Sequence, residues 1–277
     1  MRKKMTGAGT SVLVIVIFLV LLLIPTIFIT SIACDAPAGI ITISGSTTIQ
    51  PISEQLGKKF MAENPRVSVV VSGGGSGAGI KDVSNGKVDI GASSRELTNT
   101  DPVLIKYLLG RDAIAIIVHK TNPVTGLSKT QVRDVFAGVI SDWHDVGGHS
   151  SNIHVIVRIE GSGTRTSFQD LVMGTAKITG TASAQESNEQ VRQAVAMDGR
   201  AIGFISLGYV DTSIKALSID TVPCTVDNAR SGTYPIVRPL YYLTGTQAQG
   251  LVKKYIDFCL TDTSQKVIAS EGYLTVK

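Results

Sequence analysis

Two arginines, a serine, a threonine and two glycines fall within the eight residues Arg158-Ile159-Glu160-Gly161-Ser162-Gly163-Thr164-Arg165. The apolar run Ile153 to Val157 precedes them, and Thr166-Ser167-Phe168-Gln169-Asp170-Leu171-Val172-Met173 follows with a helical pattern. Ser162, Gly163 and Thr164 therefore stand where a strand gives way to a helix. The first N–H groups of a helix have no partner within it and its dipole is positive there, so a small oxyanion suits the position. Arg158 and Arg165 flank it with planar guanidinium forks that match an oxyanion in bidentate fashion. Two other segments repeat the design: Gly45-Ser46-Thr47-Thr48 after Ile40 to Ile43, and Gly73-Gly74-Gly75-Ser76-Gly77 after Val67 to Val71. One such element serves most simply as a cap and a turn. Three in one chain suggest convergence on a single ligand.

The elements that must position these loops can be taken in order. Ile40 to Ile43 reads as a buried strand, and the next helix carries Ile52, Leu56, Phe60 and Met61 at helical spacing before Asn64-Pro65. Val67 to Val71 is a second strand, Ile80 to Val83 a short helix, and Val88 to Ala92 a third strand that ends at Ser93-Ser94-Arg95. This β-α-β-α-β order predicts a parallel sheet with ligands beyond the carboxyl ends of its strands. Asp101 to Leu109 is predicted helical. Ala113 to Val118 and Ala201 to Ile205 are apolar segments able to cross between lobes, and Ser128 is a suitable N-cap for Gln131 to Ala137. Later come helices near 164–173 and 188–197, strands near 215–219 and 236–243, and helices at 247–260 and 264–270. The fold class expected is α/β with two lobes, the second inserted into the first and a binding cleft between them. Residues 35–113 and 206–277 would form the first lobe and 114–205 the second.

The formal charge is +4, but Arg2, Lys3 and Lys4 precede every acid; without residues 1 to 33 the 26 basic groups fall to 23, against 22 acids. A nearly neutral domain argues against a nucleic-acid partner. The N-terminus has an export-signal pattern: the basic cluster, then Val12 to Ile24 without a polar residue, then a stretch ending Ser31-Ile32-Ala33-Cys34. Either Cys34 becomes the lipid-bearing first residue of a lipoprotein, or Val12 to Ile32 stays as a signal anchor. Both tether the remainder to the outer face of the cytoplasmic membrane. Residues 1–34 are set apart as this leader. Cys224 and Cys259 could pair in an oxidising compartment, and spacing alone leaves that open.

Seven segments, in order, resemble the phosphate-binding proteins of phosphate ABC importers: Gly45-Ser46-Thr47-Thr48, Gly75-Ser76-Gly77, Gly91-Ala92-Ser93-Ser94-Arg95-Glu96-Leu97, Val135-Phe136-Ala137-Gly138 with Asp142-Trp143, Glu160 to Arg165, Ala201 to Tyr209, and Tyr234 to Tyr241. The resemblance covers almost all of 40–277. It implies a two-lobed periplasmic-binding-protein fold that closes on inorganic phosphate and hands it to a permease, without cofactor or metal and as a monomer. The family's ligand groups fall on Thr47, Thr48, Ser76, Arg158, Ser162, Gly163 and Thr164, and Ser46 and Ser94 beside them are further candidate ligands. Where many members carry an aspartate that accepts the ligand's proton, this chain has Ser94, leaving Glu160 as a possible acceptor unless it is tied to Arg158 or Arg165. Sulfate is then the rival ligand, and a tethered receptor or adhesion module uncoupled from transport is the rival role.

Enzyme readings have little to stand on. Gly73-x-Gly75-x-x-Ala78 matches a dinucleotide fingerprint, but only about ten residues follow before the next strand, too few for a full crossover helix. Neither Ser76 nor Ser162 has Gly-x-Ser-x-Gly spacing. His119, His144, His149 and His154 form no metal motif, and Trp143 is expected to anchor packing.

Overall fold

The computed structural model describes residues 39 to 276. The strands are β1 (Gly39–Gly45), β2 (Val67–Gly74), β3 (Ile90–Ser93), β4 (Ile105–His119), β5 (Gly126–Leu127), β6 (His154–Arg158), β7 (Ser183–Gln185), β8 (Ala201–Ser206), β9 (Ile214–Ala216), β10 (Ser218–Ile219) and β11 (Val237–Thr244). The helices are α1 (Gln50–Glu63), α2 (Ser76–Ser84), α3 (Lys129–Phe136), α4 (Gly163–Phe168), α5 (Asn188–Met197), α6 (Val226–Arg230), α7 (Gly250–Cys259) and α8 (Asp262–Ser270). A π-helical turn, Gln169–Met173, continues α4.

One curled sheet runs β2-β1-β3-β11-β4-β8-β6-β7, with β9 also paired to β4. β1 lies parallel to β2 and β3, so the three loops that follow these strands open at one end, as expected of a β-α-β-α-β unit. The long strand β4 joins the two halves of the sheet. Its residues from Ile105 to Ala113 pair with β11, and Ile114 to Val118 pair with β8. On one side lies a core of Ile41, Ile43, Leu56, Phe60, Tyr242 and Tyr255. On the other, Phe136, Trp143, Phe168 and Phe204 form a second, with Phe168 and Phe204 stacked 4.1 Å apart. Alternate residues of Ile114 to Val118 enter two different clusters, which is why this stretch reads as an unbroken apolar run.

Local signals explain several elements. Ser128 and Gln131 form a reciprocal capping box on α3, at 3.1 and 2.8 Å. Trp143 is buried and donates to the carbonyl of Arg200 at 2.9 Å. Two expectations fail. The helix expected over Asp101 to Leu109 is instead the start of β4: Leu108 faces Tyr241 and Lys106 faces Leu243, a pairing with a distant segment that overrides local preference. Ile40, read as part of a buried strand, is 57% exposed because the first half of β1 buries one face only, that of Ile41 and Ile43.

Candidate functional site

Close backbone approach shapes the first loops. Gly45 has φ +130°, and a side chain there would run into the carbonyl of Ala92 and the Cα of Gly79, the latter at 2.9 Å. Gly75, at φ +90°, directly precedes α2. Ser162 caps α4 by accepting from the N–H of Arg165 at 3.3 Å. The N–H of Gly77 donates to the carbonyl of Gly161 at 2.9 Å, so the second loop and the central motif touch through their backbones.

These loops bring the hydroxyl residues into one buried cluster. Ser46, Thr48, Ser76, Ser94, Ser162 and Thr164 are each at most 2% exposed; Thr47 is half-buried and Gly163 buried. Ser46 Oγ donates to Ser94 Oγ at 2.9 Å, and the N–H of Ser94 donates to Ser76 Oγ at 3.0 Å. Thr48 Oγ1 and Thr164 Oγ1 lie 3.4 Å apart across the sequence. A β-carbon on Gly163 would stand 2.7 Å from Ser94 Oγ and collide with Ser76 Oγ, so only glycine fits between them.

Two arginines are buried here. Arg158, 1% exposed, donates through Nε to the carbonyl of Gln185 at 3.3 Å and through Nη2 to the carbonyl of Glu186 at 2.7 Å and Thr47 Oγ1 at 3.2 Å. Its Nη1 is buried and has no partner. Burial, together with the positive charge of Arg238, lowers its pKa to about 10. A guanidinium is still charged at neutral pH, so two donors on a charged group stand ready for an anion.

Arg238, 2% exposed, is a residue that reasoning from the sequence missed. Its Nε and Nη2 donate to Asp112 Oδ2 at 3.0 and 2.7 Å. Nη2 also reaches Thr48 Oγ1 at 3.0 Å, and Nη1 reaches both the carbonyl and Oγ of Ser94 at 3.2 Å. Asp112 is fully buried and also accepts from Ser206 Oγ at 2.9 Å and the N–H of Leu207 at 3.2 Å. Burial pushes its carboxyl up, while Arg238, Ser206 and Leu207 oppose that; with hydrogen bonds on both oxygens the carboxylate is the form they match. Asn188, also missed, donates to Thr48 Oγ1 at 3.0 Å and accepts from the N–H of Ser206 at 3.3 Å. Tyr209 and Tyr273 fix the first loop by donating to the carbonyls of Thr47 and Thr48 at 2.7 and 2.9 Å. The available signal was an aspartate directly before the unbroken apolar run Ala113 to Val118 and an arginine in the short strand β11.

Glu160 is not brought to the cluster. Its side chain is 93% exposed and lies 3.9 Å from Arg165, because the strand ends at Arg158 and the chain turns before Glu160. Arg165 stays at the wall and donates to the carbonyl of Arg158 at 2.7 Å. Cys224 and Cys259 are free thiols; burial pushes Cys224 up to about 12. Cys34 lies outside the described residues. Among those described, no three His, Cys, Asp or Glu side chains are grouped to hold a metal ion. Among the described residues the cluster sets one buried carboxylate against two buried arginines, leaving one positive charge uncompensated within a ring of hydroxyls, an arrangement that suits an oxyanion.

Comparison with known proteins agrees in fold and family. The profile of the PBP superfamily domain matches residues 33–263. The phosphate-binding protein PstS of Bacillus subtilis is 32% identical over 248 residues, spanning 87% of this chain and 82% of that protein. A putative phosphate ABC transporter substrate-binding protein from Clostridium perfringens, solved with bound phosphate, superposes with TM-score 0.83 at 33% identity, covering 86% of this chain and 100% of that one. An ABC-type phosphate transport receptor from Vibrio cholerae gives TM-score 0.73 at 36% identity, covering 85% and 99%. The two-lobed α/β architecture and matches over most of both chains lead to one conclusion: the chain belongs to the PstS phosphate-binding-protein family of the PBP superfamily.

Proposed function

We propose that this protein binds inorganic phosphate outside the cytoplasm and delivers it to the permease of an ABC importer. The observation that carries the reading is Arg158 Nη1, a buried cationic nitrogen without a partner among buried hydroxyls. Leaving a charged donor dry and unpaired is costly, and a tetrahedral oxyanion would remove that cost. Ser46, Thr47, Thr48, Ser76 and Ser94 would contribute from one side, and Arg158, Ser162, Gly163 and Thr164 from the other. The lobes would be residues 35–113 with 206–277, and 114–205. β4 and the end of β8 would then serve as the hinge strands.

The relatives are named as binding proteins, and we read the same role here. Among the described residues no helix is long and apolar enough to cross a membrane. Tethering through a lipid on Cys34 is our reading of the N-terminal sequence; intact-mass measurement of membrane-extracted protein would contradict it by finding Val12 to Ala33 still attached.

A second ligand, sulfate, is favoured by one observation: the only carboxylate bonded into the cluster among the described residues, Asp112, has both oxygens engaged by Arg238, Ser206 and Leu207. Equilibrium dialysis with radiolabelled phosphate, competed by unlabelled phosphate or sulfate, tests the proposal. Retained label displaced by phosphate is expected; no retention would reject it.

A further inference from the structure

Counting donors separates the two buried arginines. Arg238 has five N–H groups and makes five hydrogen bonds: two to Asp112 Oδ2, one to Thr48 Oγ1, and one each to the carbonyl and Oγ of Ser94. None is left for a ligand. Arg158 engages Nε and Nη2 and leaves both N–H groups of Nη1 unengaged.

The same count applies to the hydroxyls. A hydroxyl offers one proton and two lone pairs. Thr48 Oγ1 already accepts from Arg238 Nη2 and from Asn188 Nδ2, both at 3.0 Å. Ser94 Oγ accepts from Arg238 Nη1 at 3.2 Å and from Ser46 Oγ at 2.9 Å. Both hydroxyls have used their acceptor capacity, so each can only donate: its proton faces Thr164 Oγ1 from Thr48 and Ser76 Oγ from Ser94, each at a long 3.4 Å, and can turn to a ligand. Asp112 holds the guanidinium in this orientation through its two bonds to Nε and Nη2, and is itself fixed by Ser206 and Leu207.

We propose that Arg238, clamped by Asp112, is a positioning residue that sets the hydrogen-bond polarity of the anion cradle: it makes Thr48 and Ser94 pure donors, so this wall recognises unprotonated oxygens of a tetrahedral oxyanion. The proposal rests on the anion-site reading above and adds its selectivity. A carboxylate facing the ligand would accept its proton and repel sulfate. A donor-only wall does neither, so phosphate and sulfate meet the same contacts there, and any proton on phosphate must be placed elsewhere.

The test is calorimetric titration of the full-length protein, in detergent and freed of endogenous anion, with phosphate and with sulfate at one pH. Thr48→Val removes a hydroxyl whose lone pairs Arg238 and Asn188 hold and which gives a ligand only its proton, so both affinities are expected to fall by the same factor, about fivefold or more for one hydrogen bond. A loss confined to phosphate would show Thr48 accepting the ligand's proton and would overturn the proposal. The charge-neutral double variant Arg238→Met with Asp112→Asn frees a lone pair on each hydroxyl, and the phosphate-to-sulfate affinity ratio is expected to rise about fivefold. An unchanged ratio in a double variant whose circular dichroism matches the parent would also overturn it; if that variant does not fold, Thr48→Val decides alone. Absence of heat from the parent with either anion would reject the anion site itself, and the polarity assignment with it.

Discussion

Gly163 and Ser76 lie on different loops and meet so closely that a β-carbon on Gly163 would stand 3.0 Å from the β-carbon of Ser76. If the protein closes on its ligand as proposed, this contact exists only in the closed form, where the two loops face each other across the cluster. Gly163→Ala is expected to leave the fold intact and to weaken phosphate binding by about 30- to 150-fold, roughly the loss of 2–3 kcal/mol of fit from a forced overlap. Scattering should show parent protein compacting with phosphate and the variant remaining extended. Equal compaction of both would refute this role for Gly163.

Among the described residues, Arg158 holds the one buried cationic nitrogen of the cluster without a partner. Removing a charged hydrogen-bonding partner of a desolvated anion costs about 2–5 kcal/mol, so Arg158→Ala should weaken phosphate at least tenfold. Arg165, which supports the carbonyl of Arg158 from the wall, should matter less when replaced by alanine. Titration of both variants checks the order; a larger loss at Arg165 reverses it.

The buried pair Arg238–Asp112, 2.7 Å apart at 1% and 0% side-chain exposure, should reveal itself in stability. Breaking such a pair leaves an uncompensated charge and typically costs about 3–5 kcal/mol, whereas replacing both members is far milder. Urea unfolding without ligand should therefore rank Arg238→Met and Asp112→Asn well below the double variant. Additive losses would mean that the pair is not coupled.

Acid sensitivity should trace partly to Asp101. Arg95 grips its carboxylate at 2.7 and 2.9 Å and, with Thr98, holds its pKa well below the ordinary carboxylate range of 3.8. A lowered folded pKa gives stability that is present above the unfolded value and lost as pH falls through the folded one. Asp101→Asn should thus cost roughly 1.5–3 kcal/mol at neutral pH, the worth of charged hydrogen bonds, and progressively less below about pH 4. Unfolding free energies measured at both pH values check this; a constant difference would contradict it.

Sequence reasoning reached the strand–loop–helix units because their signals are local: the Ser128–Gln131 box, the glycines at positive φ, and apolar runs of fixed period. It also put Ser46, Thr48, Ser76, Ser162 and Thr164 in loops that the structure gathers into one cluster. It failed where partners are remote. Residues 105–109 became strand only through β11, more than a hundred residues away. Arg238 stood inside a segment singled out for its resemblance, yet its role depends on Asp112, 126 residues earlier, and on Ser94, 144 residues earlier. Glu160 looked close to the site because it sits two residues from Arg158, but the turn after β6 sends it to solvent. Short sequence distance across a turn does not imply a shared side.

The central claim is that the buried cluster around Arg158 is an anion site for phosphate. Titrating the full-length protein, freed of endogenous anion, with phosphate in the calorimeter tests it most directly, run beside Arg158→Ala. We predict saturable heat at one phosphate per chain, weakened at least tenfold in the variant, in line with about 2–5 kcal/mol for such a contact. No heat from the parent, or identical isotherms for both proteins, would contradict it.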